Sequence, residues 1–562
     1  MILASAGSGK THALTNRYIT LLARGVAAER IIALTFTRKA AGEFFEEILN
    51  KLAKAASSDS EAARLADAIG SANHRRGDFL AMLRSVVDAM PRLSLGTLDG
   101  FFARIVRSFP LELGLSGAFE ILQEHSARRA RRRVLRSLFA VADKRNQQQS
   151  DFIEAFKRAT FGAEEKQLAR RLDGFLDGHA ETFLDAPDAE AWARPERIWP
   201  GGCDWLELPT VSREEGEAAL RGALPWETLT DAQRKRFDDF FAEWKTWRAG
   251  APLPKRVLYL LENAFAAWSD LKAGHGSIVI ERRRVAMSPG AARILCGILV
   301  GIGREEIVRH LEMTRGLYDV LRGYERIYHE GVRRGGRLTF ADVQRLLLPG
   351  AGAPLLYSGM SGEAREDLRL VIDWRLDAQF DHWLLDEFQD TSYGQWSILR
   401  NLIDEAVQDP EGRRSFFYVG DVKQAIFSWR EGDPRLFREI FDHYNSAQPG
   451  IIEELQLNQS WRSGPEVISL VNRVFGDARA QSAVVPQATA ETWGREWREH
   501  ASAHPEQGGY AEVREADDKE KRYQEALQIL REVDPLGRGL SVALLVQKNE
   551  TAAELASFLR TQ

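Results

Sequence analysis

The sequence predicts an α/β protein built on a parallel sheet, and three observations carry that reading. A glycine-rich loop, Ala4-Ser5-Ala6-Gly7-Ser8-Gly9-Lys10-Thr11, follows a short apolar start and opens a helical pattern. Continuously apolar runs at Ile31–Phe36, Trp383–Leu385 and Phe416–Val419 read as buried strands, because a parallel sheet covered on both faces shows no alternation. Helical periodicity follows the first two strand-loop units, and strand, loop, helix in repetition implies a doubly wound domain.

The loop comes first in the chain and its residue types explain its chemistry. Glycines let the backbone curl so that successive amides face phosphate oxygens, Lys10 adds a mobile positive charge at the β- and γ-phosphates, and the Thr11 hydroxyl can ligate Mg²⁺. A helix starting there aims its N-terminal dipole at the same anion. Apolar residues at Leu14, Tyr18, Leu21 and Leu22 predict that helix, ending near Gly25. Ala4 stands where the general GxxxxGK[ST] pattern has its first glycine; the alternative, a plain Gly/Ser-rich turn, fits poorly with Gly-Lys-Thr at a helix start. Nucleotide binding is therefore expected. After the strand Ile31–Phe36, the loop Thr37-Arg38-Lys39 leads into a helix marked by Ala41, Phe44, Phe45, Ile48 and Leu52.

Hydrolysis of a nucleotide needs a carboxylate for Mg²⁺ and a group that activates water. Trp383-Leu384-Leu385-Asp386-Glu387-Phe388-Gln389-Asp390-Thr391 offers both at a strand end, with Asp386 for the metal and Glu387 as general base. A bare Asp-Glu pair is usually just solvated; the whole nonapeptide is more specific. The strand Phe416–Val419 delivers Gly420-Asp421-Val422-Lys423-Gln424-Ala425-Ile426-Phe427-Ser428-Trp429-Arg430, placing an amide, an aromatic ring and an arginine where open α/β sheets hold ligands. Leu457-Asn458-Gln459-Ser460-Trp461-Arg462-Ser463 sets another arginine beside an aromatic ring.

Composition bounds the rest. At 562 residues the chain has room for three or four domains, and 44% hydrophobic, 28% charged and 9% aromatic residues exclude disorder and low complexity. A net charge of -5, from 76 basic and 81 acidic residues, leaves nucleic-acid binding to local patches. Two cysteines, Cys203 and Cys296, exclude a disulfide framework, a four-cysteine zinc site and an iron-sulfur cluster, and point to a reducing compartment. The longest apolar run, Ala291–Ile302, is about half of the ~20 residues that span a bilayer. Without a secretory signal at the N-terminus, a cytoplasmic protein with no membrane partner is expected.

In chain order, these blocks resemble motifs I, Ia, II, III and IV of the superfamily 1 helicases of the UvrD/Rep type. Val419-Gly420-Asp421-Val422-Lys423-Gln424 and Arg462-Ser463-Gly464-Pro465-Glu466-Val467 are most similar to the AddA/RecB branch, helicase-nuclease subunits that process double-strand breaks. The blocks occupy the first ~110 residues and the stretch from about 338 to 475. The resemblance implies a RecA-like P-loop motor domain 1A from 1–112 plus 338–460, a mostly helical inserted domain 1B over 113–337, and the beginning of a second RecA-like domain 2A over 461–562. It implies that ATP and Mg²⁺ are bound by Ala4 to Thr11 and Asp386, that Gln424 senses the γ-phosphate, that Arg462 stabilises the phosphoryl charge and that Trp461 stacks on adenine. Phe36, Thr37, Thr97 and Trp429 match positions that touch single-stranded DNA, in keeping with aromatic stacking that ignores base identity.

The match departs from the family in places. In Gly96-Thr97-Leu98-Asp99-Gly100-Phe101-Phe102 the usual histidine is Asp99, an odd neighbour for a phosphate backbone, so Thr97 alone is carried over. The upstream glutamine motif that reads adenine is not found, nor are motifs V and VI. Ser541–Val546 is expected to be the first strand of the second motor domain, with a helix from about Thr551; weak hydrolysis by a chain holding so little of that domain is a further expectation. In the middle, Leu338-Thr339-Phe340-Ala341-Asp342-Val343 resembles the return from the insertion, and Pro195 to Pro209 reads as a loop. The tryptophans at 192, 199, 205, 226, 244, 247 and 268 are expected to pack rather than stack on bases. Arg128, Arg129, Arg132, Arg133 and Arg136 lie opposite Ala130, Val134, Leu138 and Val141 on one helix and read as a solvated face, with a DNA backbone as the sharper alternative.

The implied activity is 3′ to 5′ translocation on single-stranded DNA driven by ATP, with unwinding of duplex at DNA ends during break repair and recombination. A second helicase-nuclease subunit is a candidate partner. The competing readings are a nucleotide-dependent DNA-binding scaffold and a nuclease; Asp517-Asp518-Lys519 is read as a charged loop rather than a nuclease site.

Overall fold

The computed structural model describes residues 1–115, 119–139, 154–155, 158, 168–348, 362–377, 379–425 and 432–562. Its central element is a six-stranded parallel sheet of β1 (Ile2–Ala4), β2 (Ile31–Thr35), β3 (Ser94–Thr97), β4 (His382–Leu385), β5 (Ser415–Gly420) and β6 (Leu455–Leu457), in the order β6-β1-β5-β4-β2-β3. Every neighbouring pair is parallel, so each connection crosses over through helix. All residues of β2 and β4 are buried, which is why those strands are apolar end to end.

By its internal contacts the chain divides into two compact units. One comprises Met1–Thr15, Val419–Ala425 and Phe441–Gln562. In it β1 pairs on one side with β6, Ile2 opposite Leu455 and Ala4 opposite Leu457, and on the other with the last residues of β5. A parallel ribbon joins Gln459–Ser460 to Ala501–Ser502, and helices at Pro465–Phe475, Ala478–Val484, Gln487–Glu496, Lys519–Val533 and Asn549–Arg560 complete the unit.

Two stretches of this unit differ from expectation. Ser541–Val546 forms no strand: a strand exists through its ladder, no described strand lies beside this run, and Leu545 is 94% exposed. Asp518 is not in a loop but caps the helix Lys519–Val533, accepting from the Lys521 amide at 2.8 Å.

The other unit, Asn16–Tyr418 with Ile426–Ile440, carries β2, β3, β4 and most of β5. Helix α1 (Lys10–Ala23) begins in the first unit and buries Leu14, Tyr18, Leu21 and Leu22; α2 (Arg38–Ser57) buries Phe44, Ile48 and Leu52 on the predicted spacing. Phe388, Tyr418 and Phe437 form an aromatic cluster against the sheet, with the Tyr418 and Phe437 centroids 5.0 Å apart, an arrangement worth about 1 kcal/mol per pair beyond burial.

The stretch between β3 and β4 is mostly helical and includes a 40-residue helix, Pro289–Tyr328, started by Pro at its first turn and by the Ser288 cap. One end of this helix packs into a core with Phe237, Phe240, Phe241 and Trp244, the other into a core with Leu176, Phe183 and Trp192. Trp192, Trp244 and Trp247 are buried, and Trp205, Trp226 and Trp268 pack against the first of these cores, as expected. On helix Glu124–Phe139, Ala130 and Val134 face inward and the five arginines are exposed; the side chain of Leu138 and all of Val141 lie outside the described residues. Pro195–Pro209 is not plain loop, since it holds the short helices Pro195–Ile198 and Asp204–Glu207.

A hairpin of Ser277–Ile280 with Arg283–Ala286 adds an unpredicted feature. Its turn, Glu281-Arg282, has φ of 51° and 60°, the two left-handed residues of a type I′ connection without its usual Asn or Gly. Where the insertion returns to the sheet domain, the Arg333 guanidinium is buried between two carboxylates, donating to Asp342 at 2.6 Å and to Glu325. Burial opposes its charge, yet Asp342 and Glu325 more than offset that and raise its pKa.

Candidate functional site

In the first unit, the loop after β1 folds back on itself. The Ser5 amide donates to the Leu457 carbonyl of β6 at 3.0 Å, and the Ser8 amide donates to the Ser5 carbonyl at 3.1 Å. Gly7 and Gly9 stand at φ 72° and 90°, conformations that glycine adopts without a Cβ penalty. The amides of Ala6, Gly7 and Gly9 donate to no acceptor among the described residues, which leaves a concave row of donors at the start of α1. Ala4 and Ser5 are buried, whereas Lys10 is half-buried and Thr11 exposed.

The stretch Ser460–Arg462 presses on this loop. The Trp461 amide donates to the Gly7 carbonyl at 2.8 Å, and the Ser460 hydroxyl lies under the amides of Arg462 and Ser463 at 3.4 and 3.3 Å. Arg462 is exposed with no carboxylate partner among the described residues, and Trp461 is 60% exposed, its ring edge-on to His504 at 5.7 Å. At the end of β5, buried Asp421 holds the Lys423 ammonium at 2.9 Å and receives the Gln424 side-chain amide at 2.8 Å. His500 lies 2.6 Å from the Ser5 hydroxyl through Nε2. Burial and the nearby Lys423 lower its pKa, with Asp421 opposing. Sequence reading missed His500 and His504, since no motif marks them.

In the second unit, Phe36, Thr37, Thr97, Asp386 and Glu387 all sit at the carboxyl ends of neighbouring strands. Thr35 of β2 is in register with Thr97 of β3, and the Asp386 amide donates to Leu34 at 2.8 Å. This is the edge where open α/β sheets bind ligands. Thr37 caps α2 by accepting from the Ala40 amide at 3.1 Å, and Thr97 caps helix α3 (Leu98–Ser108) by accepting from Gly100 at 3.1 Å. Each hydroxyl keeps its proton to donate. Glu387 has φ 50° and ψ 42°, a left-handed turn at the strand end, and its Oε2 accepts from the Gln389 side-chain Nε2 at 2.8 Å. Asp386 is buried and caps the Glu387 amide at 3.0 Å. Trp429 falls outside the described residues.

A family model described as the UvrD/REP helicase N-terminal domain matches residues 1–192 and 339–445. The chain belongs to this family. The UvrD/REP match covers the glycine-rich loop and the Asp386-Glu387 strand end, while Trp461, Arg462 and His500 lie beyond it. Curated relatives named as ATP-dependent helicase/nuclease subunits agree with the UvrD/REP assignment. The one from Syntrophomonas wolfei is 23% identical over 84% of this chain and 36% of its own length. Those from Levilactobacillus brevis and Anoxybacillus flavithermus are each 24% identical over 84% of this chain, and 37% and 39% of their own lengths. The chain thus spans less than half of these relatives. Among the described residues no helix is long and apolar enough to cross a membrane.

Proposed function

We propose that this UvrD/REP-family chain is the ATP-binding motor portion of a DNA helicase that translocates 3′ to 5′ on single-stranded DNA and acts in double-strand break repair. The open row of loop amides before Lys10, with Trp461 hydrogen-bonded to that loop and the exposed Arg462 packed on it, is the observation that carries the reading. Residues 1–112 and 338–460 make up a RecA-like motor domain, 113–337 its insertion, and 461–562 the start of a second RecA-like domain. Duplex ends and single-stranded DNA are the substrates, and a second helicase-nuclease subunit is the partner that the relatives' names support.

ATP is held by its phosphates on the loop Ala4 to Thr11, through the open amides of Ala6, Gly7 and Gly9 and through Lys10, with the base on Trp461. Mg²⁺ would be held by Thr11 and Asp386; when bound it neutralises phosphate charge and orients the γ-phosphoryl group. Glu387 takes a proton from water as the water oxygen bonds to the γ-phosphorus, while the bond from that phosphorus to the bridging oxygen breaks and ADP leaves with its charge. Arg462 and Gln424 face the developing charge. Phe36, Thr37, Thr97 and Trp429 contact the strand, the rings by stacking and the hydroxyls by donating to phosphate.

The test is ATP turnover with and without single-stranded DNA, alongside Glu387→Gln. Turnover that DNA stimulates and that the substitution removes supports the motor. Nucleotide binding with no turnover in either protein would replace it with a nucleotide-dependent DNA-binding subunit.

A further inference from the structure

We infer that His500 is a positioning residue of the nucleotide site, holding the phosphate-binding loop through Ser5, and that the ribbon it opens carries the same brace to Trp461. The inference rests on the nucleotide reading above. Ser5 is buried inside the loop, and its carbonyl receives the Ser8 amide, so the place of Ser5 sets the turn in which Gly7 lies. Its hydroxyl meets the His500 Nε2 at 2.6 Å. Without that partner a buried hydroxyl is left unsatisfied in the loop that must receive phosphate.

His500 is itself fixed. Its amide donates to the Asn472 side-chain oxygen at 2.9 Å, its carbonyl accepts from the Asn472 Nδ2 at 2.8 Å, and its ring meets the edge of Trp497 at 4.8 Å. Both backbone groups of one residue are thus clamped to a single asparagine on helix Pro465–Phe475. From there the chain runs into the ribbon beside Ser460: Ala501 donates to Asn458 at 3.0 Å, Ala503 donates to Ser460 at 2.8 Å, and the Ser502 hydroxyl donates to Ser463 at 2.9 Å. Two residues beyond the ribbon stands His504, whose ring lies edge-on to Trp461 at 5.7 Å. Five consecutive residues therefore touch the loop at one end and the exposed indole at the other. A histidine that merely filled space would need neither the short bond to Ser5 nor the two-sided clamp.

The experiment measures the affinity of the full chain for Mg²⁺ with a fluorescent ADP analogue, for the wild type, Lys10→Ala, Ser5→Ala, His500→Ala, His500→Gln and the Ser5→Ala/His500→Ala pair, with thermal unfolding of each apo protein. We expect His500→Ala and Ser5→Ala each to weaken binding about fivefold to tenfold, the pair to be no worse than either, and His500→Gln, whose amide retains a hydrogen-bonding group, to recover most of the loss. Wild-type affinity in His500→Ala, or additive losses in the pair, would overturn the inference. A loss matched by a collapse of the apo unfolding transition in both His500 variants would also overturn it, because the role would then be structural. If the wild type itself fails to bind, or binds no better than Lys10→Ala, the nucleotide reading falls first and the inference with it.

Discussion

The Trp461 amide donates to the Gly7 carbonyl at 2.8 Å, and a Cβ built on Gly7 would stand 2.7 Å from Cβ of Arg462. The loop and the arginine are therefore packed backbone to side chain, with no room for a methyl group. Gly7→Ala is expected to weaken nucleotide binding at least tenfold, through strain of about 1–2 kcal/mol at φ 72° and displacement of Arg462. Gly9→Ala meets no atom closer than 3.8 Å, bears the backbone strain alone and should lose less. Titration of both variants with a fluorescent nucleotide ranks them, and equal losses would show that the contact with Arg462 is irrelevant.

Glu387 combines a left-handed backbone with a hydrogen bond from Gln389 at 2.8 Å. Glu387→Gln keeps shape and backbone but cannot accept a proton. In steady-state assays kcat should fall by a factor on the order of 10² or more, with nucleotide affinity unchanged. A loss of affinity equal to the loss of turnover would assign Glu387 to binding instead.

Arg333 is the cation between Asp342 and Glu325. Arg333→Ala strands two buried carboxylates and should cost about 3–5 kcal/mol in urea unfolding. Replacing Asp342 and Glu325 by Asn and Gln in the same protein should recover part of it, since no charge is then left uncompensated.

Acid should weaken the protein below the ordinary histidine range. Burial lowers the pKa of His329, His382 and His500. A base whose folded pKa is depressed binds its proton more readily when unfolded, so stability is complete above about pH 6.5 and falls as pH drops through that value toward the folded pKa. His382 is buried with Nδ1 2.8 Å from the Ser415 hydroxyl, joining β4 to β5. Unfolding midpoints between pH 5 and 8 should show this slope, and His382→Gln should flatten it.

The Tyr18 hydroxyl is buried with no hydrogen-bond partner among the described residues, and burial pushes its pKa up. Tyr18→Phe keeps the edge-to-face contact with Phe44 at 5.9 Å and removes the desolvated hydroxyl. Thermal melts should show a protein as stable as the wild type or more stable by about 1 kcal/mol.

The sheet domain was legible because its signals are local. A continuous apolar run such as Ile31–Thr35 announces a strand covered on both faces, and Gly-Lys-Thr at a helix start announces an anion site. The hairpin at 277–286 was not legible, since Glu281-Arg282 carries none of the usual turn chemistry and tertiary contacts must hold it; Tyr259 accepts the Glu281 amide at 3.0 Å. Ser541–Val546 has a strand's composition, yet composition supplies no ladder. His500 was hidden for another reason: its partner Ser5 is 495 positions away, and a lone histidine between Glu499 and Ala501 has no period or spacing to mark it.

The 40-residue helix Pro289–Tyr328 is roughly 60 Å long at 1.5 Å per residue. Its first turns belong to one hydrophobic core and its last to another, while its middle turns lie closer to solvent. The two cores therefore share one continuous hydrogen-bonded backbone, and a break in its middle turns would separate them without removing a single side chain from either.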